Sequence, residues 1–234
     1  MPNYTLYYWA APFCGQFVRA LLAFGGEPWL EAGDEATNAL MEGALEDMPV
    51  PFMGPPVLVD HAAGVALSQM PAILLYLGDR LGLLPEDPGR RALSIKVVND
   101  ANDVIDDLTL DGGRQMWTEA RWAAFVPRLR KWMALWEELG RRHGLTPHSG
   151  FLLGGLAPGV ADIVSATLWS TMSERFPAIG SILEDAAPMT ANLARRVSDV
   201  PALADLAVRA RRDYGDLYCG GQIEQSLRRV LGSL

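Results

Sequence analysis

The chain has few of the residues that build metal sites or disulfide frameworks. Its 234 residues include two cysteines, Cys14 and Cys219, and three histidines. Two cysteines do not supply the several cross-links that hold small secreted domains together, so a hydrophobic core must hold this fold. The histidines and cysteines are not spaced as metal ligands are. The sequence therefore predicts no metal site.

Positive charge and long apolar runs are also scarce. The net charge is −8, the pI is about 4.9, and Lys96 and Lys131 are the two lysines. Because nucleic acids bind positively charged surfaces, this balance argues against a nucleic-acid partner. No apolar run reaches the ~18 residues of a membrane span, and the first residues lack the pattern of a signal peptide. We expect a cytoplasmic protein that does not bind membranes.

What the chain does have is an ordinary globular composition. Half of its residues are hydrophobic and 21% are charged, as in soluble proteins with a packed core. Its length suffices for one large domain or two small ones.

Short strand patterns alternate with helical ones in the first 84 residues. The aromatic segment Tyr4–Trp9 predicts a strand, and the apolar spacing of Phe17–Phe24 predicts a helix that ends at glycines. Pro55–Asp60 and Val65–Leu67 predict two strands of a hairpin, and Pro71–Leu81 predicts a helix with proline at its first position. The order is strand, helix, irregular segment, strand, strand, helix.

The rest of the chain shows helical patterns alone. Residues 85–89 contain two prolines and a glycine, which is typical of a linker. Apolar residues then recur at intervals of three and four, beginning with Arg90–Leu110. Pro127 is expected in the first turn of the next helix. Two further helices are predicted at Val160–Trp169 and Ala202–Ala210.

The tail Ile223–Leu231 has an amphipathic helical pattern. Such a segment can dock on its own protein, cover an active site or bind a partner. Docking is the commonest of these three fates.

Tyr8 is a candidate functional residue because of its place in the pattern. It ends the first predicted strand, and ligands of open α/β sheets bind at the carboxyl ends of strands. Its hydroxyl can donate a hydrogen bond to a thiolate there. The residues alone favour the plainer interpretation, a partly buried strand tyrosine whose hydroxyl meets water.

The segment Tyr8–Arg19 resembles the beginning of the tyrosine-type glutathione transferases, the alpha, mu, pi and sigma classes. In that family an aromatic pair ends the first strand, and an arginine and two leucines follow at the spacing found here. Further segments resemble the family in the same order along the chain. They are Pro55–Leu58 with Pro56 as a cis-proline, the glutamine-serine motif at Leu67–Leu74, the helix Ile73–Leu84, the helix segment Val98–Leu108, and the capping signature at Gly154 and Ala161-Asp162.

The resemblance implies a thioredoxin-like α/β domain in residues 1–84, a linker at 85–89 and an all-α domain in residues 90–234. It implies a glutathione transferase, which joins the thiolate of its co-substrate glutathione to an electrophilic, largely apolar small molecule. The implied protein is a cytosolic, bacterial-type member that forms a homodimer.

The resemblance also implies a role for individual residues. Tyr8 stabilises the thiolate, and in pi-like members an aspartate at the position of Asp103 reaches the glutathione amino group across the dimer. The implied glutathione-binding residues are Trp9, Pro55, Pro56, Gln69, Met70 and Asp103. The implied lining of the electrophile pocket is Ala10, Asp107 and Trp117.

Three departures from the family pattern predict a degenerate glutathione site. Met70 replaces the serine that caps a helix and binds the γ-glutamyl carboxylate. Pro55 lacks the N–H that pairs with the glutathione backbone. Gly159 stands where the family has a capping Ser or Thr, but glycine caps adequately and Asp162 can serve the same helix.

Two alternatives remain open. Ala11-Pro12-Phe13-Cys14 is similar to a dithiol redox motif that has lost its first cysteine, and a cysteine near a helix N-terminus can be reactive. The second alternative is a binding or scaffold protein that keeps the fold without efficient catalysis, which Met70 and Pro55 favour.

Overall fold

A computed structural model of the protein describes residues 2–232, apart from the side chain of Asp111. Its N-terminal domain contains a four-stranded mixed sheet in the order β2-β1-β3-β4. The pair of β1 and β2 is parallel, whereas β3 is antiparallel to both β1 and β4. The strands are β1 (Tyr4–Tyr7), β2 (Trp29–Glu31), β3 (Val57–Asp60) and β4 (Val65–Ser68).

Three helices belong to this domain: α1 (Cys14–Phe24), α2 (Gly33–Glu42) and α3 (Met70–Arg80). The sequence patterns predicted α1 and α3 but assigned the region of β2 and α2 to an irregular segment. Their weak burial explains that error. β2 has three residues and no buried one, and Thr37 is the buried residue of α2. Neither element therefore carries the apolar periodicity that marks a strand or helix.

The register of the sheet brings three chain segments to one edge. Tyr7 of β1 pairs with Val57 of β3, and Val57 pairs with Ser68 of β4. The residues just beyond this paired row lie side by side at the edge of the sheet. They are Tyr8 after β1, Pro56 before β3 and Gln69 after β4. The Pro55–Pro56 peptide bond is cis, which confirms that prediction.

The C-terminal domain is helical, and the described residues after β4 contain no strand. The predicted fold class, an α/β domain followed by an all-α domain, is confirmed. The helices are α4 (Pro88–Leu108), α5 (Leu110–Gly113), α6 (Glu119–Arg142), α7 (Val160–Arg175), α8 (Pro177–Ala186), α9 (Pro188–Ser198), α10 (Pro201–Tyr214) and α11 (Gly221–Gly232).

The predicted place of Pro127 in a first turn is wrong. α6 begins eight residues earlier, where the side chain of Thr118 accepts a hydrogen bond from the N–H of Arg121 at 3.2 Å. The helix tolerates Pro127 in its interior, with the ring exposed to solvent. Trp122 and Phe125 pack with Trp117 before the proline, so the first two turns are held by burial.

Helix α7 is buried on nearly all sides and joins the two domains. The N–H of Val160 donates to the carbonyl of Leu83 at 3.0 Å. Asp162 accepts from the N–H of Gly159 at 2.9 Å and from that of Leu152 at 2.7 Å. Asp162 thus serves the helix start as expected, because its carboxylate pairs with the N–H of the N-cap residue Gly159 and ties the preceding loop to the helix through Leu152.

Two searches of the described residues gave negative findings. None of the helices within residues 2–232 has the length and apolar character needed to cross a membrane. In that same part of the chain, no group of three or more His, Cys, Asp or Glu side chains is arranged to hold a metal ion.

Candidate functional site

Tyr8 lies directly after β1 and points its hydroxyl at the beginning of α1. The hydroxyl oxygen accepts a hydrogen bond from the N–H of Cys14 at 3.0 Å. Burial raises the pKa of Tyr8 well above its ordinary value, since a buried phenolate would lose its hydration. The phenol therefore stays protonated, and its own O–H remains able to donate.

A buried guanidinium holds the loop that follows Tyr8. Arg19 of α1 is 2% exposed, and it donates to the carbonyls of Ala11 at 2.9 Å and Trp9 at 3.2 Å. Its Nε and Nη2 also bind the two carboxylate oxygens of Glu31 at 2.7 and 3.0 Å. Burial opposes the charge, but hydrogen bonds and attraction to Glu31 raise the pKa of Arg19 overall. Arg19 therefore fixes the loop after β1 to both α1 and β2.

Helix α2 holds the same loop from its outer side. The indole N–H of Trp9 donates to Asn38 at 2.9 Å, and the N–H of Ala10 donates to Asp34 at 2.7 Å. Both contacts are exposed to solvent. Trp9 and Ala10, two of the predicted site residues, are thereby placed at the open rim of the sheet edge.

At the same edge, Gln69 has an unusual backbone. Its φ is 71° and its ψ is 119°, and it is the N-cap of α3. A residue other than glycine rarely adopts a positive φ, and such strain is found preferentially at functional sites. Met70 is the first residue of α3, with its side chain 2% exposed. The predicted N-cap role of Met70 is therefore wrong, because the cap lies one residue earlier and the Met70 side chain packs in the core.

Cys14 is the first residue of α1 and lies beside the Tyr8 hydroxyl. Burial raises the pKa of its thiol to about 11, although a hydrogen bond with Tyr8 acts in the opposite direction. A thiol with this pKa is protonated at neutral pH. Burial of the thiol thus argues against a reactive Cys14 thiolate, which the redox alternative needs.

The remaining predicted residues lie on the helical domain. Asp103 is exposed on α4 and borders a recess of about 100 Å³ formed by α4 and α6. Asp107 forms an ion pair with Arg128 at 3.2 Å. Trp117 is buried, and its indole N–H donates to the carbonyl of Leu108 at 2.9 Å. None of these contacts links them to Tyr8, and their proposed roles stay predictions.

The sequence reading did not single out Asp106, which lies on the same helix. Its charge contributes to raising the pKa of Cys14, so the influence of this carboxylate reaches the start of α1. The sequence shows several aspartates along α4, Asp106 among them. Their spacing does not reveal which of them faces α1.

The tail docks on the body of the protein, next to this site. The ring of Tyr218 packs against Phe13 at 5.5 Å and against Phe176 at 5.3 Å between centroids. The N–H of Trp117 donates to Ser226 of α11 at 3.0 Å. Because Phe13 directly precedes Cys14, the tail covers the region around the beginning of α1.

One carboxylate organises the entry into α11. Glu224 accepts hydrogen bonds from the N–H groups of Tyr218 at 3.0 Å, Cys219 at 2.9 Å and Gly220 at 2.6 Å. It also binds Arg228 at 2.6 Å. Burial alone would raise the pKa of Glu224, but these contacts outweigh it and lower the pKa. The tail is thus held by a charged hydrogen-bond network as well as by apolar packing.

A family model described as "Glutathione S-transferase, C-terminal domain" matches residues 93–230, more than half of the chain. The chain belongs to the glutathione S-transferase family. This confirms the resemblance at the level of the superfamily, while the tyrosine-type, bacterial-type subclass and the degenerate site stay predictions.

Solved glutathione transferases share the fold at low sequence identity. Monomeric Na-GST-3 from the hookworm Necator americanus is 21% identical with a TM-score of 0.70, and the match covers 88% of this chain and 97% of that one. A Nu-class transferase from Haemonchus contortus is 19% identical with a TM-score of 0.68, covering 89% and 97%. The comparison with curated proteins gives no match.

The first prediction concerns the contribution of Arg19 to stability. Replacing it in Arg19→Met should lower the free energy of unfolding by about 2–4 kcal/mol, because Glu31 and two loop carbonyls lose their common donor. Urea denaturation measures the change.

The control is Arg209→Met, whose guanidinium lies 5.6 Å from the Trp29 ring on the surface. It should cost less than about 1 kcal/mol. Equal losses in both variants would show that Arg19 does not anchor the loop.

Proposed function

We propose that this member of the family is an active glutathione transferase that attacks electrophilic, largely apolar small molecules. The observation that carries the proposal is the Tyr8 hydroxyl, which stays protonated at the start of α1 and already hydrogen-bonds a sulfur atom there, the Cys14 thiol. A donor at this place lowers the pKa of a bound thiol by stabilising the thiolate.

The chemistry follows from that donor. The glutathione thiol gives its proton to solvent, and the sulfur lone pair forms a bond to the electrophilic carbon. In a substitution the leaving group departs with the electron pair of its own bond, whereas in an addition the electrons of a π bond move away from the attacked carbon. Tyr8 favours the step by holding the nucleophile in its charged form.

The γ-glutamyl end of glutathione is proposed to bind at the beginning of α3. The N–H of Met70 and the helix dipole attract a carboxylate there, and Gln69 lies exposed at the same point. Pro56 and Trp9 flank the position of the cysteinyl part. Pro55 has no N–H to offer, so the glutathione backbone loses one partner.

The electrophile is proposed to bind between the sheet edge and the helical domain. Ala10 is exposed at the rim, and Asp107 and Trp117 are the proposed contributions of the helical domain. We assign residues 1–84 to glutathione, 85–89 to the linker and 90–234 to the electrophile side. A cytoplasmic location and a homodimer with Asp103 acting across the interface complete the proposal.

A non-catalytic binding protein is the second candidate. Met70 supplies no hydroxyl to the γ-glutamyl carboxylate, and Pro55 supplies no N–H to the glutathione backbone. These two changes favour weak binding of glutathione, and with it a loss of efficient turnover.

The Tyr8→Phe variant tests the catalytic proposal. It should lower kcat for conjugation of 1-chloro-2,4-dinitrobenzene about 10-fold or more, since the thiolate loses its donor. Calorimetric titration should show nearly unchanged affinity for glutathione, because the hydroxyl does not serve the anchors of the tripeptide.

Tyr7→Phe, one residue earlier in β1, is the matched control and should keep its activity. Cys14→Ser should also matter little. Activity that survives Tyr8→Phe but disappears in Cys14→Ser would replace this proposal with thiol chemistry of Cys14. No turnover in the unmodified protein would favour the non-catalytic candidate.

Met70→Ser tests the degenerate glutathione site. The new hydroxyl should tighten glutathione binding about ten-fold, as expected for a hydrogen bond to a charged group. The same change should lower the free energy of unfolding by about 2–4 kcal/mol, because Met70 is buried. Calorimetry and urea denaturation measure the two effects separately.

Met70→Leu keeps the volume of the side chain and is the control. It should leave both affinity and stability nearly unchanged. Tight binding by the unmodified protein, with no gain in Met70→Ser, would mean that the γ-glutamyl group binds elsewhere.

The homodimer is tested by light scattering at micromolar concentration. The expected mass is twice the 25.5 kDa of the chain, and Asp103→Ala should keep that mass while weakening glutathione binding. A monomer mass for the unmodified protein would exclude the proposed role of Asp103 across an interface.

A further inference from the structure

The Tyr8 hydroxyl has a partner inside the protein, the side chain of Cys14. Its oxygen accepts from the N–H of Cys14 at 3.0 Å, and the hydroxyl also forms a hydrogen bond with the thiol of the same residue. A thiol is a weak donor, and the phenol oxygen is already accepting the N–H. The thiol is therefore the acceptor of the pair, and the single hydrogen of the phenol points at the Cys14 sulfur.

The packing of the Tyr8 ring keeps this pair together. A Cβ at Gly15, the residue after Cys14, would lie 2.3 Å from Cδ1 of the ring, so the ring occupies the space that a side chain there would fill. Trp9 packs on the ring at 5.6 Å between centroids, and the guanidinium of Arg19 lies 5.7 Å from the ring centroid. The ring is 3% exposed. It is therefore held in place, and the hydroxyl hydrogen is the part that can change its partner.

Glutathione needs the same hydrogen, and this step of the argument rests on the proposed function, in which Tyr8 donates to the glutathione thiolate. A phenol cannot donate one hydrogen to two sulfur atoms, so the two compete. A charged thiolate accepts more strongly than a neutral thiol. Glutathione therefore takes the hydrogen once it is ionised, whereas Cys14 can hold it while the glutathione thiol keeps its proton. The contact with Cys14 thus stabilises the protonated form of bound glutathione.

Cys14 competes as a neutral thiol. Burial raises the pKa of Cys14 to about 11, and the charge of Asp106 acts in the same direction. At neutral pH the residue therefore keeps its proton and does not act as a nucleophile. Since a neutral sulfur is a weak acceptor, a glutathione thiolate can displace it from Tyr8.

The other charged and titratable groups around this pair come from three elements. Arg19 of α1 lies at the Tyr8 ring, and the carboxylate of Asp106 on α4 acts on Cys14. Tyr218 and Cys219, before α11, interact electrostatically with Cys14. Burial raises the pKa of both, so they stay neutral, while the raised pKa of Arg19 keeps its charge. These three groups therefore do not change charge near neutral pH.

We propose that Cys14 is a positioning residue for Tyr8, which holds the hydroxyl hydrogen until a glutathione thiolate takes it. Through this competition Cys14 limits the fraction of bound glutathione that is ionised at neutral pH. It thereby sets the pH above which the transferase reaches its full rate.

The test measures the ionisation of bound glutathione, followed by the ultraviolet difference absorbance of its thiolate as the pH is raised. In Cys14→Ala the hydroxyl hydrogen loses its internal partner. The pKa of the bound glutathione thiol should then fall by about 0.5–1 unit, the effect expected for one hydrogen bond. At saturating glutathione and a pH below both pKa values, kcat/KM for 1-chloro-2,4-dinitrobenzene should rise about three- to ten-fold. Above both pKa values the variant and the unmodified protein should be equal.

Two further variants separate this role from a structural one. Cys14→Ser restores a hydrogen-bonding group, so its pH profile should return to that of the unmodified protein. Cys219→Ala makes the same substitution at the other free cysteine and should leave both measurements unchanged. An unchanged or raised pKa of bound glutathione in Cys14→Ala would overturn this inference alone, because the thiolate would still form. If the unmodified protein forms no bound thiolate at any pH, the proposed function fails, and this inference fails with it.

Discussion

The buried guanidinium of Arg19 is the interaction on which the candidate site depends. It joins α1, the loop after β1 and Glu31 of β2 through four hydrogen bonds. A loop at the end of a strand has no ladder to hold its carbonyls, and a buried cation supplies several donors in a fixed plane. With the loop fixed, the hydroxyl of Tyr8 accepts from the N–H of Cys14 at the beginning of α1.

Helix α1 is shared between two environments. Its first turn meets Tyr8 and the docked tail, whereas Gln16 lines a cavity beside α7 and α10. α7 in turn connects the domains, because Val160 binds the carbonyl of Leu83 and Asp162 ties down the loop before it. A displacement of α7 would therefore reach both the domain junction and the wall of that cavity. The packing of α7 against α1 therefore contributes both to the fold and to the surroundings of α1.

Pro55 and Met70, the two departures from the family pattern that weaken the proposed glutathione site, act in different physical ways. Pro55 removes a donor from the backbone, and the loss is local to that bond. Met70 offers no hydroxyl to the proposed anion site, but its buried apolar side chain stabilises the fold. Gln69 has a positive φ, so the entry to α3 is strained. The backbone N–H groups proposed to bind the anion do not depend on which side chain follows.

The sequence by itself determined the fold class and the edge position of Tyr8, because strand and helix periodicities act locally, whereas the cis bond before Pro56 was expected from the family resemblance. It did not reveal β2 or α2, whose burial is too slight to leave a pattern. The N-cap of α3 and the protonated thiol of Cys14 were decided by tertiary structure, because both depend on burial that local patterns do not show: Met70 in the core and Cys14 beside Tyr8. Docking was the commonest fate expected for the tail, but only packing placed Ser226 of α11 against Trp117, and Tyr218 before that helix between Phe13 and Phe176.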